Sequence, residues 1–211
     1  MTEIKVCGMT NAADAMNAVQ CGADALGFIF YSKSPRYVQP GAAKEIIAKL
    51  PHDICKVGVF VNHEAEAVKE IVEFCGLDLI QLHGDESPRY CREFPKSRLI
   101  KAISAQTSHL SDYPVRTILL DAGHPELYGG TGKKSDWDLA VNIKENHALI
   151  LSGGLRLENI REALIIVSPD AVDINSGVEL SPGKKDPEKV RRIIEIVRQT
   201  KKISKDTVFK A

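Results

Sequence analysis

The chain has 211 residues, of which 27% are charged and 44% are hydrophobic, and its 28 basic and 28 acidic side chains give no formal net charge. A chain of this length buries about 70% of the surface that it exposes when unfolded, so it needs no disulfide or metal to be stable. No basic face interleaved with aromatic residues is apparent, which argues against nucleic acid as a partner. We expect one domain, since α/β barrels of this size fold as single units.

The cysteines and the apolar runs indicate the compartment. The five cysteines lie far apart without a C-x-x-C pair, and no two histidines have the spacing of a zinc site. We therefore expect free thiols and no metal, as in a reducing compartment. The N-terminus lacks the pattern of a signal peptide, and no apolar run approaches the roughly 18 residues of a membrane span. The sequence thus predicts a cytoplasmic protein with no membrane partner.

Strand and helix patterns alternate along the chain. Apolar residues that recur at i, i+3, i+4 and i+7 predict the helices. Asn11 or Thr10 is expected to cap the first helix and Gly22 to end it, while Asp186 and Pro187 are expected to begin the last. Eight apolar runs predict strands, namely Ile4–Cys7, Ala25–Phe30, Val57–Val61, Leu79–Leu82, Leu99–Ile103, Ile118–Leu120, Ala148–Leu151 and Ala171–Ile174.

These runs are too apolar for half-exposed strands and indicate a parallel sheet covered by helices. Eight repeats favour closure into a single (β/α)8 TIM barrel over residues 1–201, followed by a polar tail over residues 202–211 that we expect to fray. An open, doubly wound sheet is the alternative. It would be favoured by a G-x-G-x-x-G turn after the first strand, which Cys7-Gly8-Met9-Thr10 does not supply.

Active sites of such barrels lie at the carboxyl ends of the strands. Tight turns without a ligand are one interpretation of the glycines there. The other is a phosphate site, because loops after the seventh and eighth strands often bind phosphate and a helix beginning after Gly177 would add its dipole. Gly130 and Gly132 are expected in a loop that closes over this site. The residues at strand ends are Cys7, Arg36, Asn62, His83, Asp121, Gly153, Gly154, Asp173, Ser176 and Gly177.

Residue type alone leaves several roles open. Cys7 is either a buried apolar packer or a base, and Asp121 is either a loop cap or an acid. A forked guanidinium such as that of Arg36 suits a substrate carboxylate, although a solvated surface arginine is the alternative. His83 either orients a partner or contacts substrate, or it is an ordinary hydrogen-bonded histidine.

Taken together, the motifs resemble the phosphoribosylanthranilate isomerase family. The match runs in order from Ile4 to Thr200, and the set is specific although each piece alone is not. The matching motifs are Lys5-Val6-Cys7-Gly8-Met9-Thr10, Gly27-Phe28-Ile29-Phe30 with Ser34-Pro35-Arg36, Val57-Gly58-Val59-Phe60-Val61-Asn62, Leu79-Ile80-Gln81-Leu82-His83-Gly84, Leu120-Asp121, Gly129-Gly130-Thr131-Gly132, Gly153-Gly154-Leu155 and Val172-Asp173-Ile174-Asn175-Ser176-Gly177-Val178-Glu179.

The resemblance implies a barrel enzyme of tryptophan biosynthesis. Such enzymes convert N-(5-phosphoribosyl)anthranilate to 1-(2-carboxyphenylamino)-1-deoxy-D-ribulose 5-phosphate by an Amadori rearrangement, without a cofactor or metal. By matching position, Cys7 is the general base, Asp121 is the general acid, and Arg36 binds the anthranilate carboxylate. The glycine loops bind the phosphate, with His83 and Asp173 as further substrate contacts. The expected partner is a small phosphorylated aminosugar, and the chain is expected to be a monomer or a homodimer.

Some consequences and alternatives accompany this interpretation. Asn175 and Ser152 stand where the family usually has serine and alanine, which should change side-chain contacts at the phosphate rather than the chemistry. A free thiol has a pKa of about 8.5, so the base role predicts a lowered pKa for Cys7. A related barrel lyase or synthase, with Lys5 as its lysine near a strand end, is one alternative. A non-catalytic sugar-phosphate binder is the other.

Overall fold

Eight parallel strands close into a barrel in a computed structural model that describes residues 1–104, 107, 110–121, 137–200 and 207–209. Each strand pairs with the next along the chain, and the eighth pairs with the first. The predicted closed barrel is therefore confirmed over the open sheet. The strands are β1 (Glu3–Cys7), β2 (Ala25–Ile29), β3 (Cys55–Phe60), β4 (Leu79–Leu82), β5 (Leu99–Ile103), β6 (Thr117–Leu120), β7 (Ala148–Leu151) and β8 (Ala171–Ile174).

Helices connect the strands around the outside of the barrel. Among the described residues, the connection from β5 to β6 contains only a 3₁₀ helix, Leu110–Asp112, and another 3₁₀ helix, Lys96–Arg98, precedes β5. After β8 come a third 3₁₀ helix, Ser176–Val178, and an antiparallel pair, β9 (Glu179–Ser181) and β10 (Lys184–Lys185). The α-helices are α1 (Ala12–Cys21), α2 (Pro40–Ile47), α3 (Ala65–Cys75), α4 (Pro88–Cys91), α5 (Trp137–Ile143), α6 (Ile160–Val167) and α7 (Pro187–Gln199).

The predicted helix caps are in place. The Asn11 side chain accepts a hydrogen bond from the Asp14 N–H at 2.8 Å, and Gly22 ends α1 in the left-handed region at φ 100°. Asp186 caps α7 by accepting from two backbone N–H groups, with Pro187 in the first turn. These local signals fix where α1 and α7 begin, and so they fix the lengths of the loops beside the barrel mouth.

Two layers of apolar contacts hold the barrel together. On β1, Ile4 and Val6 belong to the large cluster between the sheet and the helices. Lys5 and Cys7 alternate with them and face the barrel interior, as the period of two along a strand requires. A smaller cluster fills the interior below the polar mouth, with members Ala25, Cys55, Val57, Ile100, Ala102, Leu119, Ile150, Ala171 and Phe209.

The end of the chain packs against the floor of the barrel. The backbone N–H groups of Val208 and Phe209 donate to Glu3 Oε2 at 2.5 and 3.0 Å. Phe209 is only 8% exposed and joins the interior cluster beside Ala25 and Ala171. The prediction that the tail frays is therefore wrong for Val208 and Phe209, because an aromatic ring there covers apolar surface. The domain boundary at residue 201 stays a prediction.

None of the helices in the described part of the chain is long and apolar enough to cross a membrane.

Candidate active site

A polar cavity opens at the carboxyl ends of the strands. It brings together nine of the ten predicted strand-end residues, whereas Gly130 and Gly132 lie outside the described residues. Asn62 is absent from the lining; its side chain accepts from the Asp85 N–H and so ties the loops after β3 and β4 together. The predicted residues that line the cavity are Cys7, Arg36, His83, Asp121, Gly153, Gly154, Asp173, Ser176 and Gly177.

Cys7 ends β1 and is only 4% exposed. Its neighbour in register on β2 is Gly27, and a Cβ atom on Gly27 would stand 2.5 Å from the Cys7 sulfur. The Gly27 carbonyl accepts from the N–H groups of Gly8 and Met9, both at 2.9 Å, which holds the chain just after the thiol. The thiol is therefore fixed by the adjacent strand and faces the cavity.

Burial raises the pKa of the Cys7 thiol, and Asp173 adds to this effect. The ammonium groups of Lys5 and Lys185 oppose it, without reversing it. The predicted lowering of the Cys7 pKa is therefore wrong for the protein without substrate. Residue type and position at a strand end give no measure of how completely the thiol is buried.

Lys5 lies one layer below Cys7 and is fully buried. Its ammonium group donates to Asp173 Oδ2 and to Gln81 Oε1, both at 2.9 Å. Burial works to lower the pKa of Lys5, but Asp173 and Cys7 outweigh it and raise that pKa. Lys5 is therefore a buried cation that links β1, β4 and β8, and it favours a negative charge on the sulfur above it.

Asp121 follows β6 and is buried at the cavity wall. Its backbone N–H donates to the Ile103 carbonyl at 2.9 Å, which continues the pairing of β5 with β6 by one residue. The Nε2 atom of His83, from the end of β4, lies 3.3 Å from Asp121 Oδ2. The carboxyl group and the imidazole are thus one unit, although neither motif alone indicated the contact.

Arg36 is held by an acidic residue that the sequence analysis did not single out. Its Nε and Nη2 atoms donate to Glu179 Oε1 and Oε2 at 2.9 and 2.7 Å, a bidentate pair. Lys185 donates to the same Glu179 at 2.9 Å and to Asn175 Oδ1 at 2.9 Å. Glu179 and Lys185 lie on β9 and β10, which are too short to show a pattern in sequence.

Burial and the neighbouring charges shift the pKa values of Glu179 and Lys185. Burial would raise the pKa of Glu179, but Arg36 and Lys185 outweigh it and lower that pKa. Burial lowers the pKa of Lys185, while Glu179 opposes the change. The guanidinium of Arg36 is therefore oriented by a carboxylate that stays ionised, and the unusual Asn175 serves as an acceptor for Lys185.

Two glycine turns border the cavity after β7 and β8. Gly153 and Gly154 both adopt left-handed conformations, with φ of 84° and 65°. Gly177 passes so close to the Leu155 carbonyl that any side chain would clash with it. The helix expected after Gly177 is not present, since Ser176–Val178 forms only a 3₁₀ turn before β9. Gly177 is therefore followed by a single 3₁₀ turn and not by a long helix with its dipole.

A closed parallel barrel whose strand ends surround a cavity with a thiol, a carboxyl group and glycine turns defines an enzyme of the (β/α)8-barrel class. A family model described as N-(5'phosphoribosyl)anthranilate (PRA) isomerase matches residues 4–196. The chain belongs to this isomerase family, as its resemblance predicted, and the assignment to tryptophan biosynthesis is confirmed at the level of the family.

Individual relatives agree with the family model. An N-(5'-phosphoribosyl)anthranilate isomerase from Syntrophus aciditrophicus (strain SB) is 55% identical over 203 residues, covering 94% of this chain and 88% of the relative. The structure of phosphoribosyl anthranilate isomerase from Thermotoga maritima is 40% identical with a TM-score of 0.84, covering 94% of this chain and 99% of that one. A structure of the isomerase in complex with reduced 1-(o-carboxyphenylamino)-1-deoxyribulose 5-phosphate is 38% identical with a TM-score of 0.80, over 94% and 99% of the two chains.

Proposed function

We propose that this chain converts N-(5'-phosphoribosyl)anthranilate to 1-(2-carboxyphenylamino)-1-deoxy-D-ribulose 5-phosphate by an Amadori rearrangement, with Asp121 as general acid and Cys7 as general base. The observation that carries the proposal is the shared cavity, in which a thiol, a carboxyl group and two glycine turns meet. The molecule bound by the related isomerase contains a phosphate, a carboxylate and a ribulose chain. The cavity has a counterpart for each of these groups.

The first step requires an acid. Asp121 donates its proton to the ribose ring oxygen, the bond from that oxygen to C1 breaks, and the anthranilate nitrogen supplies the electrons that form an iminium. The buried position of Asp121 limits the water that would compete for the proton. The substrate's own nitrogen accepts the charge, so the step needs only a well-placed proton.

The second step requires a base. The iminium acidifies the C2 hydrogen, the Cys7 thiolate removes it, and the resulting enolamine tautomerises to the ketone. Because burial raises the Cys7 pKa, the free protein holds mostly the neutral thiol. The iminium adds a positive charge to those of Lys5 and Lys185, and all three favour the thiolate in the complex.

The remaining contacts orient the substrate. We assign the anthranilate carboxylate to Arg36. Its Nε and Nη2 atoms already donate to Glu179, so the other edge of the guanidinium is the one proposed to bind the carboxylate. We assign the phosphate to the backbone of Gly153, Gly154 and Gly177 with the Ser176 side chain, because left-handed and closely approached glycines expose N–H groups to an anion. Asp173 lines the same cavity from β8.

The alternative of a lysine-dependent lyase or synthase finds less support. A nucleophilic lysine must lose its proton and reach the substrate. Lys5 is absent from the cavity lining, is bound to Asp173 and Gln81, and has a raised pKa. All three features keep it a protonated support beneath the site.

The test is an assay of purified protein with N-(5'-phosphoribosyl)anthranilate, following the loss of anthranilate-type fluorescence. Wild type is expected to turn over the substrate, and Cys7→Ala and Asp121→Asn are expected to lose at least about 100-fold in kcat, as for loss of a general acid or base. An inert wild type would overturn the function. Variants as active as wild type would overturn only the two roles, and tight binding without turnover would favour a non-catalytic sugar-phosphate binder.

A further inference from the structure

We propose that Gln81 is a positioning residue, which holds His83 as a neutral imidazole whose single proton lies on Nε2 and is directed at Asp121. The proposal extends the proposed function, since it concerns how Asp121 is prepared to act as an acid. Gln81 lies on β4, is 1% exposed and lines the cavity. An amide is uncharged and is neither an acid nor a base near neutral pH, so Gln81 has no direct role in proton transfer.

The contact with Lys5 fixes the orientation of the Gln81 amide. The Lys5 ammonium lies 2.9 Å from one amide atom of Gln81, and an ammonium group can only donate hydrogen bonds. That amide atom must therefore be the oxygen. Asp173 accepts a second hydrogen bond from Lys5 at 2.9 Å, and the raised pKa of Lys5 favours its ammonium form.

The orientation of the Gln81 amide in turn fixes which nitrogen of His83 carries the proton. With its oxygen turned to Lys5, Gln81 directs its NH₂ group at His83 Nδ1, 2.8 Å away. An NH₂ group donates only, so Nδ1 must accept and cannot carry a proton. The proton of the neutral ring then lies on Nε2. A proton on Nδ1 would set two N–H groups against each other.

The other nitrogen of the His83 ring contacts Asp121. His83 Nε2 lies 3.3 Å from Asp121 Oδ2, so the neutral ring donates to that oxygen. In the proposed first step of the reaction, the proton that Asp121 gives up is then the one on its other carboxyl oxygen. When Asp121 has given up this proton, the same N–H stabilises the carboxylate without a full positive charge. An imidazolium in this place would form an ion pair with Asp121, keep it ionised and leave it without a proton to donate.

The series Lys5, Gln81, His83 and Asp121 therefore connects the base end of the site to the acid end. The positive charge of Lys5 also acts on the Cys7 thiol and works to lower its pKa. One buried ammonium thus favours the thiolate on one side and, through the orientation of an amide, sets the histidine tautomer on the other. No proton moves along this series; each member only fixes the direction of the next hydrogen bond.

The decisive measurement is a long-range ¹H–¹⁵N correlation spectrum of the histidine side chains at neutral pH, with His83 assigned by its loss in His83→Asn. The expected pattern is one protonated nitrogen, Nε2, and one unprotonated nitrogen, Nδ1. A His83 protonated on Nδ1, or on both nitrogens, would overturn the proposal. The spectrum does not depend on turnover, so an inert protein would defeat the proposed function without touching this result.

A pair of variants tests the consequence. In Gln81→Glu one carboxylate oxygen keeps Lys5 and the other accepts from Nδ1–H, so His83 should be doubly protonated and kcat should fall about 100-fold, as for loss of general acid catalysis. Gln20→Glu, at an exposed position on α1, is the matched control and should leave both properties unchanged. If Gln81→Glu folds, shows a doubly protonated His83 and keeps the wild-type kcat, the positioning role is overturned.

Discussion

Gly27 lies directly beside Cys7 in the register of β1 and β2, and the absence of a side chain on Gly27 makes room for the Cys7 sulfur. A Cβ atom there would approach the sulfur to 2.5 Å and the Cys7 Cα to 3.1 Å. Val6, the residue before Cys7, pairs with Ile174 of β8, so we expect the thiol to be the group that moves. The position of the proposed base is thus set by a residue of the neighbouring strand.

Gly27→Ala should therefore lower kcat by about 100-fold, since a displacement of roughly 1 Å at a reacting group has an effect of this size. Steady-state kinetics with N-(5'-phosphoribosyl)anthranilate measures the effect. Gly41→Ala on α2 is the control, because an added Cβ there meets nothing within 4 Å and alanine favours a helix. Wild-type kcat in a folded Gly27→Ala protein would show that the thiol tolerates displacement or is not the base.

The raised pKa of Cys7 gives a prediction with a definite sign. A thiol whose pKa is raised above its ordinary range is neutral at physiological pH and ionises only in alkaline solution. The thiolate absorbance of wild type minus that of Cys7→Ser should accordingly show no step below pH 9.0. A step near neutral pH that Cys7→Ser abolishes would mean that Lys5 and Lys185 outweigh burial.

The fold could be read from the sequence because its signals are local. Each barrel strand is a short apolar run, and the predicted and observed bounds agree for Leu99–Ile103, Ala148–Leu151 and Ala171–Ile174. The rule that barrel sites lie at strand ends then gathered Cys7 and Asp121 correctly into one cavity. Neither inference needed knowledge of which distant residues touch.

What the sequence missed depends on contacts between distant residues. Arg36 and Glu179 are 143 positions apart, and no periodicity links them. The residues next to Gln81 in sequence do not indicate its role, because that role follows only from Lys5 and His83 on either side of its amide. The direction in which the Cys7 pKa is shifted depends on the balance of burial and charge, which composition does not give.

Arg36→Ala should weaken substrate binding more than it slows chemistry. The guanidinium is proposed to bind a carboxylate remote from the reacting carbons, so its loss removes binding that is common to substrate and transition state. We expect KM to rise by at least about tenfold, as for loss of a charged hydrogen bond, with a smaller change in kcat. An unchanged KM would argue against a carboxylate contact at Arg36.

Glu179→Gln should lower the free energy of unfolding at neutral pH. It should also make that free energy less dependent on pH in acid. The folded-state pKa of Glu179 lies below its ordinary value of 4.5, so its contribution is present above that pH and is lost as the pH falls through the folded pKa. At neutral pH the variant leaves Arg36 and Lys185 without their carboxylate, which should cost about 3 kcal/mol.

Denaturant unfolding at several pH values between neutral and acid measures both effects. Wild type should lose stability more steeply than Glu179→Gln below pH 4.5, the ordinary value for this group. Glu188→Gln, in an exposed ion pair with Arg191, is the control and should change little at any pH. Parallel acid profiles for wild type and Glu179→Gln would contradict the depressed pKa.

Phe209→Ala should reduce stability while leaving catalysis intact. Phe209 is 8% exposed and packs against the interior cluster at the end of the barrel opposite the cavity, so its removal uncovers apolar surface far from Cys7 and Asp121. We expect the free energy of unfolding to fall by about 2 kcal/mol. This is somewhat less than for a phenylalanine at the centre of a core, because Phe209 lies near the end of the chain. Phe74→Ala, at a site that is 48% exposed on α3, should lose much less. Equal stabilities for wild type and Phe209→Ala in urea would mean that the tail contributes nothing to the barrel floor, and a fall in kcat without a fall in stability would mean that the floor is coupled to the site.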